Sequence, residues 1–442
     1  MKGRMQEWPL LMHKIIDHAA RQFPEREIVS RTVEGPIHRT NYRAIGERAR
    51  KVAKRLEKDG VTLGDRVATL AWNGFRHLEA WYGIAGIGAI YHTVNPRLFP
   101  EQIAWIVNDA EDRVIMTDLT FVPLLEAMAG HLPGVECFVV LTDAAHMPAT
   151  KLKNAVPYEE WIDEVDADFE WKTFDENTAA GLCYTSGTTG HPKGVLYSHR
   201  SNVLHSVMCS GLDCLPIGPE ATIMPVVPMF HANSWSLALS APMKGAKMVM
   251  PGARLDGASV YELLESEAVT FTAAVPTVWL MLLSYLRSEG RRLSTLKVVA
   301  IGGSACPPAM IQAFEDEYGV EVRHAWGMTE MSPIGTVGSI KPRAGMTRAE
   351  AFKRKVKQGW APFGVEMKIV DEKDRDLPWD GKTFGRLKVA GPAVVETYFK
   401  DAGGEVLDES GFFDTGDVAT IDSEGYMQIV DRTKDVIKSG GE

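Results

Sequence analysis

The stretch that most limits what this chain can fold into is Tyr184-Thr185-Ser186-Gly187-Thr188-Thr189-Gly190-His191-Pro192-Lys193-Gly194-Val195. The apolar run Ala179 to Cys183 leads into it and reads as a buried strand. Gly187 and Gly190 let the backbone turn tightly and approach a ligand without a Cβ clash. The N–H groups that such a turn exposes form a concavity that favours an anion. Thr185, Ser186, Thr188 and Thr189 add hydroxyl donors or an oxygen ligand for a hard cation, and Lys193 adds a mobile positive charge. Taken alone, a Gly/Ser/Thr cluster also describes a polar surface loop. The stretch is not the pattern G-x-x-x-x-G-K-[ST]: Pro192 precedes Lys193, Gly194 follows it, and no Ser or Thr stands on the magnesium position. Pro192 also disfavours a helix starting at the lysine.

Around this loop, short apolar runs alternate with helical patterns. Leu11, Ile15, Ile16 and Ala19 fall at helical spacing within 10–21, and Ile45, Ala49, Val52 and Leu56 do so within 42–58. Strands are expected at 66–71, 113–116 and 138–141, with a helix over 78–88 in which Gly83 and Gly86 allow close packing. Residues 143–178 are polar and are expected to cross the surface. Beyond the loop, strands are expected at 222–227, 247–250, 271–275 and 297–301, and helices at 258–267 and 278–288. Val298 to Ile301 runs into Gly302-Gly303, and Pro307-Pro308 open another helix. Strand, glycine turn and helix in that order bring ligands to the C-terminal edge of a parallel sheet. After Gly359 the texture changes to short alternating strands at 366–370, 385–389, 417–421 and 426–430, the pattern of an antiparallel sheet or small barrel.

The expected class is therefore α/β. The organisation is an α/β subdomain over 1–180, a second with the phosphate loop over 181–358, and an antiparallel β subdomain over 359–431. Residues 432–442 are expected to begin a further domain, because the chain stops in mid-pattern at Gly440-Gly441-Glu442. A length of 442 residues exceeds one ordinary core. A formal net charge of −10 disfavours broad nucleic-acid binding. The basic face of 42–58 reads as a solvated helix face rather than a nucleic-acid site. Cys137, Cys183, Cys209, Cys214 and Cys306 are odd in number and form no C-x-x-C pair, which suits buried free thiols in a reducing compartment. No apolar run is long enough to span a bilayer and no signal peptide is evident, so a cytoplasmic chain is expected. The role of Lys341 to Gln358, a basic segment with helical character, is not legible.

Four further stretches carry chemistry: Gly303-Ser304-Ala305, Pro228-Met229-Phe230-His231, His324-Ala325-Trp326-Gly327-Met328-Thr329-Glu330, and Thr415-Gly416-Asp417. Read singly, His231 is a satisfied structural histidine, Glu330 a surface carboxylate and Asp417 a turn residue. Phe230 and Trp235 place His231 in an apolar, aromatic setting suited to an acyl pocket. Together with Thr185 to Gly194, these stretches resemble the adenylate-forming superfamily, which contains the acyl-CoA synthetases, luciferases and peptide-synthetase adenylation domains. The chain is similar throughout to the medium- and long-chain fatty acyl-CoA ligase branch.

The resemblance implies the large N-terminal domain of such enzymes: two α/β subdomains with mainly parallel sheets plus a small antiparallel β-barrel. The small C-terminal domain, with its catalytic lysine, is expected beyond Glu442. ATP, AMP, Mg²⁺ and coenzyme A follow as cofactors and cosubstrates, and a homodimer as assembly. Thr185, Ser186, Gly187, Thr188, Thr189, Gly190 and Lys193 would hold phosphate. Gly303, Ser304 and Ala305 would support adenine. His324, Ala325, Trp326, Gly327, Met328 and Thr329 would line the base, with Trp326 on a position usually held by tyrosine. Asp417 and Arg432 would take the ribose, and Thr185 and Glu330 would organise Mg²⁺. His231, Trp235, Gly302 and Pro333 would border the acid. Lys193, His231 and Glu330 would act in catalysis, and Asp435 would be the hinge. A carboxylate would attack the α-phosphate, and a thiol would then take the acyl group from AMP. No carboxylate stands near Ala232 to pair with an ammonium, so an amino acid substrate is disfavoured. The acid implied is short and thioether-bearing, 3-methylmercaptopropionate, an acid of dimethylsulfoniopropionate breakdown. Medium- and long-chain fatty acids are the rivals, and an inactive nucleotide-binding scaffold is the rival of another class.

Overall fold

The computed structural model describes residue 1, residues 3–185 and residues 191–432. The chain divides into two units. The first comprises 1–206, 218–220 and 228–253; the second comprises 207–217, 221–227 and 254–442.

In the first unit a seven-stranded sheet runs in the order Ala155–Pro157, Cys137–Val140, Val114–Thr117, Arg66–Leu70, Ile90–Thr93, Ala179–Tyr184, Gly194–Ser198. All neighbours are parallel except the last pair. The helices between the strands bury the stripes that the spacing predicts. Leu11, Ile15, Ile16 and Ala19 are buried at helix His13–Gln22, and Ile45, Ala49, Val52 and Leu56 at helix Tyr42–Lys58. Asn41 caps the second helix by accepting from the Ala44 N–H at 3.0 Å. The expected close packing is present: a Cβ on Gly83 would lie 2.5 Å from Val52, and one on Gly86 would lie 2.2 Å from the Trp171 ring.

The basic face of helix Tyr42–Lys58 is paired rather than simply solvated. Arg48 meets the buried Glu79 at 2.7 Å and Glu159 at 2.9 Å, while Arg50, Lys51 and Lys54 meet Asp17, Asp163 and Asp166. Residues 143–178 are not all irregular either. They supply the edge strand Ala155–Pro157 and helix Tyr158–Asp163, whose Tyr158, Trp161 and Ile162 are buried. A three-residue strand is too short to show a period, which is why the polar reading of this segment missed it. Three further strands of this unit, Lys247–Met250, Glu27–Arg31 and Ile37–Asn41, pair side by side in that order.

In the second unit five strands run in the order Ile334–Val337, Glu321–Gly327, Val298–Ile301, Phe271–Ala274, Thr222–Pro225. Only the first pair is antiparallel. A four-stranded antiparallel sheet follows, in the order Glu366–Val370, Phe384–Ala390, Phe413–Ile421, Met427–Arg432. Helix Arg348–Lys355 occupies the basic segment, opened by a capping box in which Thr347 and Glu350 satisfy each other's backbone N–H. Of the five cysteine thiols, four are buried and Cys137 is partly exposed. Among the described residues, no helix is long and apolar enough to cross a membrane.

Candidate active site

The hydroxyl- and glycine-rich stretch interrupts an antiparallel pair. Tyr184 stands opposite Gly194 where strand Ala179–Tyr184 meets Gly194–Ser198. One residue further, the Thr185 N–H donates to the Lys193 carbonyl at 2.9 Å, and the Lys193 N–H donates to Thr185 Oγ1 at 3.2 Å. The mouth of the loop is thus closed by Thr185 and Lys193 themselves, leaving the lysine exposed. Ser186, Gly187, Thr188, Thr189 and Gly190 lie outside the described residues.

In the same unit, Pro228 to Trp235 follows a path the sequence does not announce. Ala232, Asn233, Ser234, Trp235 and Ser236 all have φ between 41° and 62°, five consecutive residues in the left-handed region without a glycine. Each such residue costs about 1–2 kcal/mol. Buried polar contacts hold the turn: Asn233 Nδ2 donates to Asn202 Oδ1 at 3.3 Å, and His205 Nδ1 and the Ser236 hydroxyl lie 2.5 Å apart. Burial pushes His205 down to about 3, so its ring is neutral. Trp235 is buried, while His231 keeps an open face to solvent. Desolvation first, and then the charge of Arg97, lowers the pKa of His231, which favours a neutral imidazole. The loop after strand Arg66–Leu70 fixes the approach to His231: Asn73 Oδ1 accepts from the Met229 N–H at 2.7 Å, and the Trp72 ring meets Phe230 edge-on at 5.9 Å.

The second unit carries Gly302 to Ala305 and Met328 to Glu330 just beyond the C-terminal ends of two parallel strands, and Asp417 and Arg432 on its antiparallel sheet. Strand Val298–Ile301 ends in the buried Gly302 and the exposed turn Gly303, Ser304 and Ala305, with Gly303 at φ 79°. Strand Glu321–Gly327 carries His324, Ala325, Trp326 and Gly327, followed by Met328 and Thr329. His324 ties the two stretches together. The Cys306 N–H donates to its Nε2 at 3.2 Å, which leaves the ring proton on Nδ1, 3.2 Å from the Val356 carbonyl. Burial lowers His324 to about 4, in keeping with a neutral ring. Gly327 admits no side chain, since a Cβ there would lie 2.0 Å from the Pro333 carbonyl oxygen. Pro333 is buried, and its carbonyl accepts from the Met328 N–H at 3.0 Å.

Trp326 and Asp417, 91 residues apart, meet directly: the indole Nε1–H donates to Asp417 Oδ2 at 2.9 Å. Gly335 lies against one side of that indole, where a Cβ would come within 2.4 Å of the ring. Trp326 is half-buried and Asp417 is buried. The Asp417 N–H is bound by Thr415 Oγ1 at 3.1 Å. A planar ring and a carboxylate joined in this way suit a base and its sugar. Glu330 is also buried, and Tyr398 donates its hydroxyl to Glu330 Oε1 at 2.7 Å. The Glu330 carbonyl accepts from the Val395 N–H at 2.8 Å. Arg432 lies at the end of strand Met427–Arg432, opposite Asp417 in register. Asp435 lies outside the described residues.

Tyr398, Asn73 and the Asn202–His205 pair escaped the sequence reading. Each acts on a site residue remote in sequence, and no local spacing announces them. Among the described residues, no cluster of three or more His, Cys, Asp or Glu could hold a metal by itself. Glu330 is nonetheless the kind of hard oxygen donor that Mg²⁺ takes when phosphates and water complete the shell.

The AMP-binding enzyme family model matches residues 16–399. The chain is 48% identical over its whole length to a 3-methylmercaptopropionyl-CoA ligase of Ruegeria lacuscaerulensis, covering 82% of that protein. It is 46% identical over its whole length to a medium-chain-fatty-acid–CoA ligase of Ectopseudomonas oleovorans, covering 81% of that protein. Among solved structures, a long-chain-fatty-acid–CoA ligase from Archaeoglobus fulgidus superposes with a TM-score of 0.83 at 25% identity. That match covers 98% of this chain and 86% of the other.

Proposed function

The chain belongs to the AMP-binding enzyme family as an AMP-forming acyl-CoA ligase, and we propose that the acid it activates is 3-methylmercaptopropionate. The observation that carries the choice of acid is the 48% identity to a ligase of that name across the full chain. The setting suits a short apolar acid: Met229, Phe230 and Trp235 are buried in one segment beside His231. A medium-chain fatty acid is the second reading, favoured by the 46% identity to a ligase for such acids.

The chemistry proceeds in two transfers. A carboxylate oxygen attacks the α-phosphorus of ATP and pyrophosphate leaves, giving an acyl-adenylate. The sulfur of coenzyme A then attacks the acyl carbon and AMP leaves with the bonding pair. In the first unit, Lys193 and Thr185 would meet phosphate oxygens. His231, neutral at physiological pH, would border the carboxylate without holding it in an unreactive ion pair. In the second unit, Trp326 would stack on adenine while its N–H keeps Asp417 turned towards the ribose hydroxyls. Glu330 would hold Mg²⁺, which when bound supplies neutralising charge to the phosphates. His324 would hold the Gly302–Cys306 turn under the base.

ATP–pyrophosphate exchange tests the acid directly. With 3-methylmercaptopropionate, pentanoate, octanoate and palmitate offered in parallel, the thioether acid is expected to give the highest kcat/KM. Octanoate well ahead of it would replace this reading with the medium-chain one, and exchange with none of them would favour a nucleotide-binding scaffold.

A further inference from the structure

The helix Pro100–Ala110 has two faces. Ile103, Ala104, Ile106, Val107 and Ala110 are buried in the core of the first unit. Trp105 and Asp109, four residues apart and so on one side of the helix, are only partly buried. That side touches both ends of the phosphate loop. At the leading end, the Tyr184 hydroxyl donates to Asp109 Oδ2 at 2.6 Å, and the Tyr184 ring stands edge-on to Trp105 at 6.0 Å. At the trailing end, the exposed His191 ring stacks on Trp105 at 4.5 Å and an interplanar angle of 10°. Thr185 directly follows Tyr184 and Lys193 lies two residues beyond His191, so both contacts adjoin the residues that close the mouth of the loop.

We propose that Trp105 and Asp109 are positioning residues for triphosphate binding, one helix face that clamps both ends of the phosphate loop. This rests on the reading of the loop given above. The fold does not need the arrangement. Trp105 contributes to no core stripe, and its stacking partner is an exposed residue next to the loop. The clamp fixes Tyr184 and His191, the residues it touches on either side of the loop, before ATP binds. Behind Tyr184 the brace continues inward: the His92 ring lies 5.2 Å from it, and His92 Nδ1 pairs with the buried Asp112 at 2.6 Å.

The test compares Trp105→Ala and Trp105→Phe with the parent by calorimetric titration of MgATP, by exchange kinetics and by urea unfolding. An aromatic pair of this kind is worth roughly a two- to tenfold change in an equilibrium constant. Trp105→Ala is expected to raise the MgATP Kd by that factor. The acid KM and the urea midpoint should stay near the parent's, and Trp105→Phe should restore most of the loss. Tyr184→Phe and Asp109→Ala should each weaken MgATP binding, and the double variant should be no worse than either alone. The proposal is overturned if Trp105→Ala binds MgATP like the parent, if ATP and acid weaken together, or if phenylalanine restores nothing. It is also overturned if the parent itself fails to bind MgATP. A parent that binds MgATP but exchanges pyrophosphate with no acid would remove the ligase reading, and the variant Kd values would still decide the clamp.

Discussion

Replacing Tyr398 by phenylalanine isolates the support of Glu330. The change deletes one hydroxyl and keeps the ring, which is 8% exposed, so no cavity opens beyond an oxygen's volume. What is lost is a 2.7 Å hydrogen bond to a carboxylate that is itself 7% exposed. Hydrogen bonds to charged groups are worth about 1.5–3 kcal/mol when one partner is removed. The backbone tie from Val395 to the Glu330 carbonyl remains, so the chain stays in place while the carboxylate loses its bond to the tyrosine. A loss of about 1.5 kcal/mol corresponds to about tenfold in an equilibrium constant. The Mg²⁺ concentration for half-maximal exchange is therefore expected to rise about tenfold in Tyr398→Phe, with the acid KM unchanged. In a Glu330→Gln background the same change should have much less effect, because the tyrosine acts through the carboxylate. A Tyr398→Phe enzyme with the parent's Mg²⁺ titration curve and the parent's urea midpoint would refute the assignment of Glu330 as a fixed metal ligand.

Two further perturbations read other parts of the framework. Burial, with Glu34 adding to it, pushes Asp118 up to about 7, against the opposing Trp72 N–H. The folded protein then keeps a proton that the unfolded chain, with a carboxyl near 3.8, has released. Stability falls as pH rises from about 4 to about 7 and is level above that. Asp118→Asn should remove the fall, so its advantage over the parent in urea unfolding should be greater at pH 8 than at pH 5, by at most about 3 kcal/mol. An advantage independent of pH would contradict the raised pKa. Gly335→Ala places a methyl group 2.4 Å from the Trp326 ring and should displace the indole from Asp417. Overpacking of this kind costs about 1–3 kcal/mol, and MgATP affinity should fall with it; an unchanged Kd would sever Trp326 from the nucleotide.

The architecture was legible wherever a strand is an apolar run bounded by turn residues. Lys247–Met250 and Glu366–Val370 occupy the spans that periodicity indicates, and Pro308 opens the helix expected after Gly302-Gly303. Gly83 and Gly86 could be read as contact points because a glycine inside a helix has few other uses, and both meet a neighbour closer than a Cβ allows. Ile90–Thr93 was not legible: four buried residues directly after Gly88-Ala89 merge with the end of a helical pattern. The basic face of Tyr42–Lys58 was read as solvated because its acidic partners are remote in sequence, 31 residues away for Glu79 and 112 for the partners of Lys51 and Lys54.

The site divides along the same line. Residues within a compact motif, such as Thr185 and Lys193 or Trp326 and Glu330, can be found from spacing, because one turn of backbone imposes their order. Their supports cannot, since the chain reaches them by a long detour: Tyr398 is 68 residues from Glu330, and Asp417 is 91 from Trp326. The left-handed run from Ala232 to Ser236 is the extreme case. Its sequence contains no glycine, and no local preference would place five such residues at positive φ. Surrounding buried polar contacts, those from Asn202 and His205 among them, hold that conformation. Strain of this size next to His231 and around Trp235 is retained in a fold when the position of a side chain matters more than the stability of its backbone. The direction of the Trp235 side chain is accordingly a product of tertiary structure, which sequence spacing does not encode.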